Sequence, residues 1–271
     1  MISTSTSEAF AEKLKKRKTD GMISAWIGIP DPLLANFFAQ EPFDAVVIDL
    51  QHGMWDIASA ATAIGQVRLA GKPAVARIPV GDFASASRLL DAGASGIIAP
   101  MINSASDAEQ FVKATKYLPL GERSWGPALA LNYNGLSPDA YLKSANQLTV
   151  TIAMVETRAA LEAIDEILAV DGIDGIFIGP SDLSIALSDG AALAPNSAEI
   201  DRVMAQALER CQHHGKFICA FGSDGVRAGQ LLKLGFHFVI AGGDSAQLRA
   251  GARAAITTAR ETAAGGSTKQ A

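Results

Sequence analysis

The chain has 271 residues, 49% of them hydrophobic and 19% charged, and its formal net charge is −5. This supports one large α/β domain or two smaller ones, and the acidic balance leaves no basic footprint for nucleic acid. Two cysteines, Cys211 and Cys219, fit neither a disulfide framework nor a CxxC metal site. No apolar run is long enough for a bilayer, and MISTSTSEAFAEKLKKRKTDG has no apolar signal core, so a reduced, cytoplasmic protein is expected.

From the N-terminus, residues 7–18 read as an amphipathic helix. Phe10 and Leu14 lie one turn apart over a charged KLKKRK face, which reads as a solvated helix, too thin in apolar residues for membrane attachment. MISAWIGI (22–29) is the first strand, broken by Pro30-Asp31-Pro32 before a helix over LLANFFAQ. Phe43 to Leu50 is the second strand, and Asp56 can cap the helix that follows. PAVARIP forms the third strand, ending at Arg77, with a helix over 83–92. GIIAPM (96–101) is the fourth, and Ser104 or Ser106 starts its helix. Residues 119–138, PLGERSWGPALALNYNGLSP, are the longest irregular stretch and read as a lid or a subunit contact.

Residues 148–156 form the fifth strand, with a helix over 158–170, and GIFIG (175–179) is the sixth. A helix over 198–213 leads to the seventh strand (217–221) and a helix over 224–234. FHFVIA (236–241) is the eighth, a helix over 245–262 closes the chain, and the tail from 263 is expected to fray. Eight strands in βα alternation without a domain-sized linker predict a single eight-stranded β/α (TIM) barrel. A doubly wound sheet would want a glycine-rich dinucleotide turn after the first strand, and IGIPDP is not one.

Barrels place their chemistry at the carboxyl ends of strands. Those ends offer Asp49 and His52, Arg77, Glu156, Asp182, and the Gly242-Gly243-Asp244 turn. Two carboxylates without a Cys or His cluster suit a hard divalent ion, Mg²⁺ or Mn²⁺, with water and substrate completing its shell. His213 and His214 end a helix, where cations suit the dipole, and His237 reads as a barrel-wall histidine. None of strands two to eight carries a lysine, which argues against an imine-forming aldolase.

IDLQHG, ARIPV, LLDAGASGIIAPM, VETRAALEAIDEILAVDGIDGIFIGPSDLS and LGFHFVIAGGDSAQL together resemble the HpcH/HpaI class II pyruvate aldolases, from about Gly21 to Arg253. The resemblance implies a carbon–carbon lyase that cleaves 4-hydroxy-2-oxo acids reversibly to pyruvate, or hydroxypyruvate, and an aldehyde. It implies Glu156 and Asp182 as ligands of a divalent metal, with Co²⁺ a further candidate. His52 matches the catalytic base, Arg77 the stabiliser of the developing enolate, and the Ser181 backbone N–H the donor to the substrate carboxylate. The family's aspartate that raises the basicity of the histidine matches Asp91, although the topology puts Asp91 near the far end of a helix, so Asp49 stands as the rival partner for His52. The resemblance also implies a hexamer, a trimer of dimers with the last helix exchanged.

Two departures bear on substrate. Met154 stands where many members have a glutamine, and RSWG (123–126) replaces RGxG, so that Trp125 could reshape the acceptor side. A base that must be neutral predicts loss of activity at acidic pH. Oxaloacetate decarboxylation and citrate-forming synthesis share the enolate chemistry and stand as alternatives, and a barrel that only binds is the remote one.

Overall fold

A computed structural model describes residues 5–16 and 20–264. Eight parallel strands close in sequence order: β1 Met22–Ile27, β2 Ala45–Asp49, β3 Ala74–Arg77, β4 Gly96–Ala99, β5 Val150–Val155, β6 Gly175–Ile178, β7 Phe217–Gly222 and β8 Phe238–Ala241. The helices are α1 Ser5–Lys15, α2 Pro32–Gln40, α3 Ile57–Leu69, α4 Phe83–Asp91, α5 Ala105–Thr115, α6 Ala128–Asn134, α7 Pro138–Leu148, α8 Arg158–Glu162, α9 Ile164–Ala169, α10 Pro180–Leu187, α11 Ala198–His213, α12 Gly225–Leu234 and α13 Asp244–Ala263. This is the single β/α barrel expected from the alternation.

Successive strand residues point to opposite faces, and the packing divides along that parity. Val46, Ile48, Ala76, Ile97, Val155, Ile176 and Ile218 face the helices in one buried cluster. Met22, Trp26, Val47, Val75, Ile98, Ile152, Met154, Phe177, Phe217, Cys219, Phe238 and Ile240 fill the barrel interior. Continuing the inward parity by one step reaches Asp49, Arg77 and Glu156, so the rule that fills the core also turns three charged side chains into the mouth.

The foot of the barrel departs from the sequence reading in two places. The first helix is a plug rather than a solvated helix. Phe10, Ala11 and Leu14 are buried with the interior cluster, and the Phe10 ring meets Phe238 edge-on at 5.7 Å. Lys15 Nζ donates to the carbonyls of Asn146, Gln147 and Thr149. Of the expected helix over 7–18, residues 17 and 18 lie outside the described residues, as do residues 265–271 of the expected frayed tail.

The stretch 119–138 contains α6 and leads through α7 into β5, so it lies at the amino-terminal face and cannot cover its own barrel's mouth. Trp125 packs between Tyr117 and Tyr141, at 5.5 and 6.2 Å, which places it away from the mouth of its own barrel. Lys116, at the end of α5, is also at the foot. Its ammonium pairs with Asp174 at 2.7 Å, and burial pulls its pKa down to about 8 against the opposing pull of Asp174.

Candidate active site

The mouth is assembled by strand register. Asp49 and Arg77 are Cα partners across β2 and β3, both inward, and they form a two-pronged ion pair: Nε to Oδ1 at 2.8 Å and Nη2 to Oδ2 at 2.6 Å. Both are buried. The guanidinium also lies 4.7 Å over the Trp26 ring, whose Nε1–H donates to Asp49 Oδ2 at 3.2 Å. A planar fork held on two edges and one face is fixed in direction.

Asp49 also shapes the turn that carries His52. Its Oδ1 accepts the backbone N–H groups of Gln51 at 3.1 Å and His52 at 3.4 Å. Gly53 then passes so close to the end of β2 that a Cβ would sit 2.1 Å from Asp49 O and 2.7 Å from Gly28 O. The aspartate and the glycine therefore bend the chain so that His52 faces the cavity. Neither expected partner meets its imidazole within the chain. Asp49 is committed to Arg77, Trp26 and the turn. Asp91 ends α4 at the foot, where its Oδ1 accepts from Arg123 Nη2 at 2.5 Å.

On the other side of the mouth, Glu156 follows β5. It is 2% exposed, and its Oε1 accepts the Met101 N–H at 2.9 Å. Burial pushes its carboxyl pKa up to about 7; Asp182 pushes the same way, while the Met101 bond and Arg77 oppose. Asp182 is the third residue of α10, exposed at the mouth. Pro180 opens that helix, and no side chain caps it, so the amides of its first turn, Ser181 included, have no internal acceptor and suit an anion. Asp244, read as a strand-end candidate, is structural: its Oδ2 accepts from the amides of Gly28 and Ile29, tying β8 to β1.

Trp26, His52, Arg77, Met154, Phe177, Gly179, Pro180, Ser181, Asp182 and Phe221 enclose a cavity of about 200 Å³, the size of a small acid. Among the described residues no group of three or more His, Cys, Asp or Glu is assembled, so the carboxylates at hand are the pair Glu156 and Asp182. A buried carboxylate whose ionised form is penalised by burial and by a second carboxylate fits a cation between them. Sequence reasoning missed Trp26 and Met101. The inward parity of β1 could have found Trp26, but nothing in the sequence marks the Met101 backbone.

A small cavity at the carboxyl mouth of a closed barrel, lined by a fixed guanidinium, an imidazole and a carboxylate, fits a β/α-barrel enzyme. Residues 23–250 match the HpcH/HpaI aldolase/citrate lyase family model, and the chain belongs to that family. It is 41% identical over 239 residues to a hydroxypyruvate/pyruvate aldolase of Rhizorhabdus wittichii, covering 88% of this chain and 94% of that one. It is 32% identical to a 4-hydroxy-2-oxo-heptane-1,7-dioate aldolase of Klebsiella pneumoniae, covering 91% of each. Among solved structures it superposes on the citrate synthase SbnG with a TM-score of 0.81 and 28% identity, over 93% of this chain and 98% of that one. The chain is a carbon–carbon lyase of the aldolase class.

Proposed function

We propose that the protein cleaves 4-hydroxy-2-oxo acids reversibly to pyruvate, or hydroxypyruvate, and an aldehyde. The observation that carries this reading is a small cavity lined by the fixed Arg77 guanidinium and by Asp182, with the buried Glu156 close enough to both for their charges to act on its carboxyl. A divalent cation such as Mg²⁺ or Mn²⁺, with Co²⁺ a further candidate, held by Glu156 and Asp182, would supply Lewis-acid polarisation of the 2-oxo acid.

The remaining steps belong to the chain. The amide of Ser181, at the uncapped start of α10, receives the substrate carboxylate. His52 in its neutral form takes the proton from the C4 hydroxyl as the C3–C4 bond breaks. The bond's electron pair moves to the keto oxygen, and Arg77, held in direction by Asp49 and Trp26, stabilises that charge, which is greatest after cleavage. Reprotonation at C3 releases the ketoacid. Met154 places a thioether in the wall of the cavity, and a thioether offers no hydrogen-bond donor to a polar donor substrate.

Product analysis tests the reading. Pyruvate plus an aldehyde in equal amounts from a 4-hydroxy-2-oxo acid supports it. Carbon dioxide from oxaloacetate or a tricarboxylate as the preferred outcome assigns one of the sister reactions that use the same enolate, and no turnover of any would leave a barrel that only binds.

The proposal extends to assembly. From residue 248 onward α13 is exposed, Leu248 and Ile256 included, and Leu33, Phe37 and Leu69 expose an apolar face on α2 and α3. These surfaces suit a homo-oligomer; its form as a hexamer, a trimer of dimers, comes from the family resemblance alone, and light scattering tests it. Among the described residues no helix is long and apolar enough to cross a membrane, and we place the enzyme in the cytoplasm.

A further inference from the structure

The turn after β4 contains a residue the chemistry above does not use. Met101 has φ of 56°, in the left-handed region that an L-residue enters only at a cost. Among the described non-glycine residues it shares this only with Asp189, which lies in the exposed turn after α10. Its side chain gains little in return, being 38% exposed.

What the conformation does is turn the backbone N–H onto Glu156 Oε1, 2.9 Å away. Two contacts just after Met101 hold the turn in place. The next amide, Ile102 N–H, donates to Met154 O at 3.3 Å, and Thr157 Oγ1 donates to Asn103 Oδ1 at 2.5 Å. Both contacts reach the strand end that carries Glu156. Across the carboxylate, Gly179 leaves the other oxygen clear, since a Cβ there would sit 2.6 Å from Glu156 Oε2 and 2.5 Å from Met154 Cε. One oxygen of Glu156 is therefore committed to a backbone donor, and the other is kept free beside the segment that leads into Asp182.

We propose that Met101 is a positioning residue for the cation site: its left-handed backbone fixes the N–H that holds Glu156 Oε1 and so presents Oε2 for coordination. This rests on the reading of Glu156 and Asp182 as cation ligands. A carboxylate fixed before the cation arrives need not be ordered by it, and groups that orient ligands in this way commonly change affinity by about 10–100-fold. The role belongs to the backbone and not to the thioether, so the side chain matters only through the conformations it allows.

The test is the Mn²⁺ dissociation constant of the full chain without substrate, read from the electron paramagnetic resonance of free Mn²⁺. Circular dichroism and the thermal midpoint establish that each variant is folded. Met101→Gly, which adopts positive φ freely, keeps the constant within about twofold. Met101→Ile, whose branched side chain resists that region, weakens binding by about tenfold. Met101→Pro, with φ fixed near −65° and no N–H, weakens it at least as much.

A purely structural role would move the thermal midpoint and leave the Mn²⁺ constant in place. If wild type binds Mn²⁺ and Glu156→Gln does not, yet folded Met101→Ile and Met101→Pro bind as wild type does, the positioning role is wrong and the cation reading stands. Should the proline variant fail to fold, the isoleucine variant decides alone. If wild type binds no Mn²⁺, or Glu156→Gln binds as tightly as wild type, the cation reading fails and takes this proposal with it.

Discussion

Asp49→Asn isolates what the buried pair at the mouth contributes. The Asp49 carboxylate accepts five hydrogen bonds: Oδ1 takes Arg77 Nε and the amides of Gln51 and His52, and Oδ2 takes Arg77 Nη2 and Trp26 Nε1. An asparagine keeps the shape but turns one oxygen into a donor. With the amide nitrogen in the Oδ2 place, two donors face it; in the Oδ1 place, three do. Either orientation also leaves the Arg77 charge without its counter-charge at 6% exposure. Breaking a buried pair from one side costs about 3–5 kcal/mol. The catalytic loss follows from the fork losing its direction, and removal of one oriented donor to a developing anion lowers kcat by about 10²–10³-fold.

Guanidinium denaturation reads the first quantity, and kcat for pyruvate release from a 4-hydroxy-2-oxo acid reads the second. The double variant Asp49→Asn/Arg77→Met removes both partners and should lose less stability than the two single losses summed, by about 2 kcal/mol. An Asp49→Asn protein within 1 kcal/mol of wild type in stability and within about threefold in kcat would refute the reasoning, as would strict additivity in the double variant.

Three further outcomes follow from the same geometry. Arg77→Ala chiefly lowers kcat, and a near-normal turnover number in that variant would remove Arg77 from the enolate. The Glu156 carboxyl is raised to about 7, above its unfolded value, so the metal-free fold binds more protons than the unfolded chain between pH 4.5 and 7. Its contribution is present below the unfolded pKa and is lost as pH rises through about 7, on the order of 3 kcal/mol. Denaturation of the EDTA-treated enzyme at pH 5 and pH 8 should therefore show a steeper loss in wild type than in Glu156→Gln, and equal slopes would contradict the assignment. Leu14→Ala opens the plug at the foot and should cost about 3 kcal/mol while leaving kcat within about twofold at a temperature where the variant is folded; calorimetry and steady-state kinetics read the two effects.

The barrel was legible because its evidence is local. A strand buried on both faces must be an apolar run, and FDAVVID, TVTIAMV and GIFIG are such runs. Asp49, Arg77 and Glu156 were legible for the same reason, each standing where a run stops. What escaped depends on contacts between distant segments. Phe10 and Leu14 look like a thin surface stripe until the foot of the barrel supplies a cavity for them. Asp49 looks free to serve His52 until the register sets Arg77 beside it. Asp244 reads as a strand-end acid, and only the closure of β8 on β1 gives it the amides of Gly28 and Ile29. Trp125 reads as an acceptor-side residue until the fold packs it, within the chain, between Tyr117 and Tyr141 at the amino-terminal face, whereas the place of Asp91 at the far end of α4 was legible from the chain order.

The central claim is that this mouth makes and stabilises an enolate of a 2-oxo acid with a bound divalent cation. The most direct measurement is deuterium exchange into the methyl group of pyruvate in D₂O, followed by proton NMR. It is run on the enzyme as purified, after EDTA, and after restoring Mg²⁺ or Mn²⁺, with hydroxypyruvate as the second donor. The account predicts exchange that EDTA stops and the cation restores, and that Arg77→Ala and Glu156→Gln both lack. Absence of exchange with both donors in the presence of the cation, or exchange indifferent to EDTA, would contradict it.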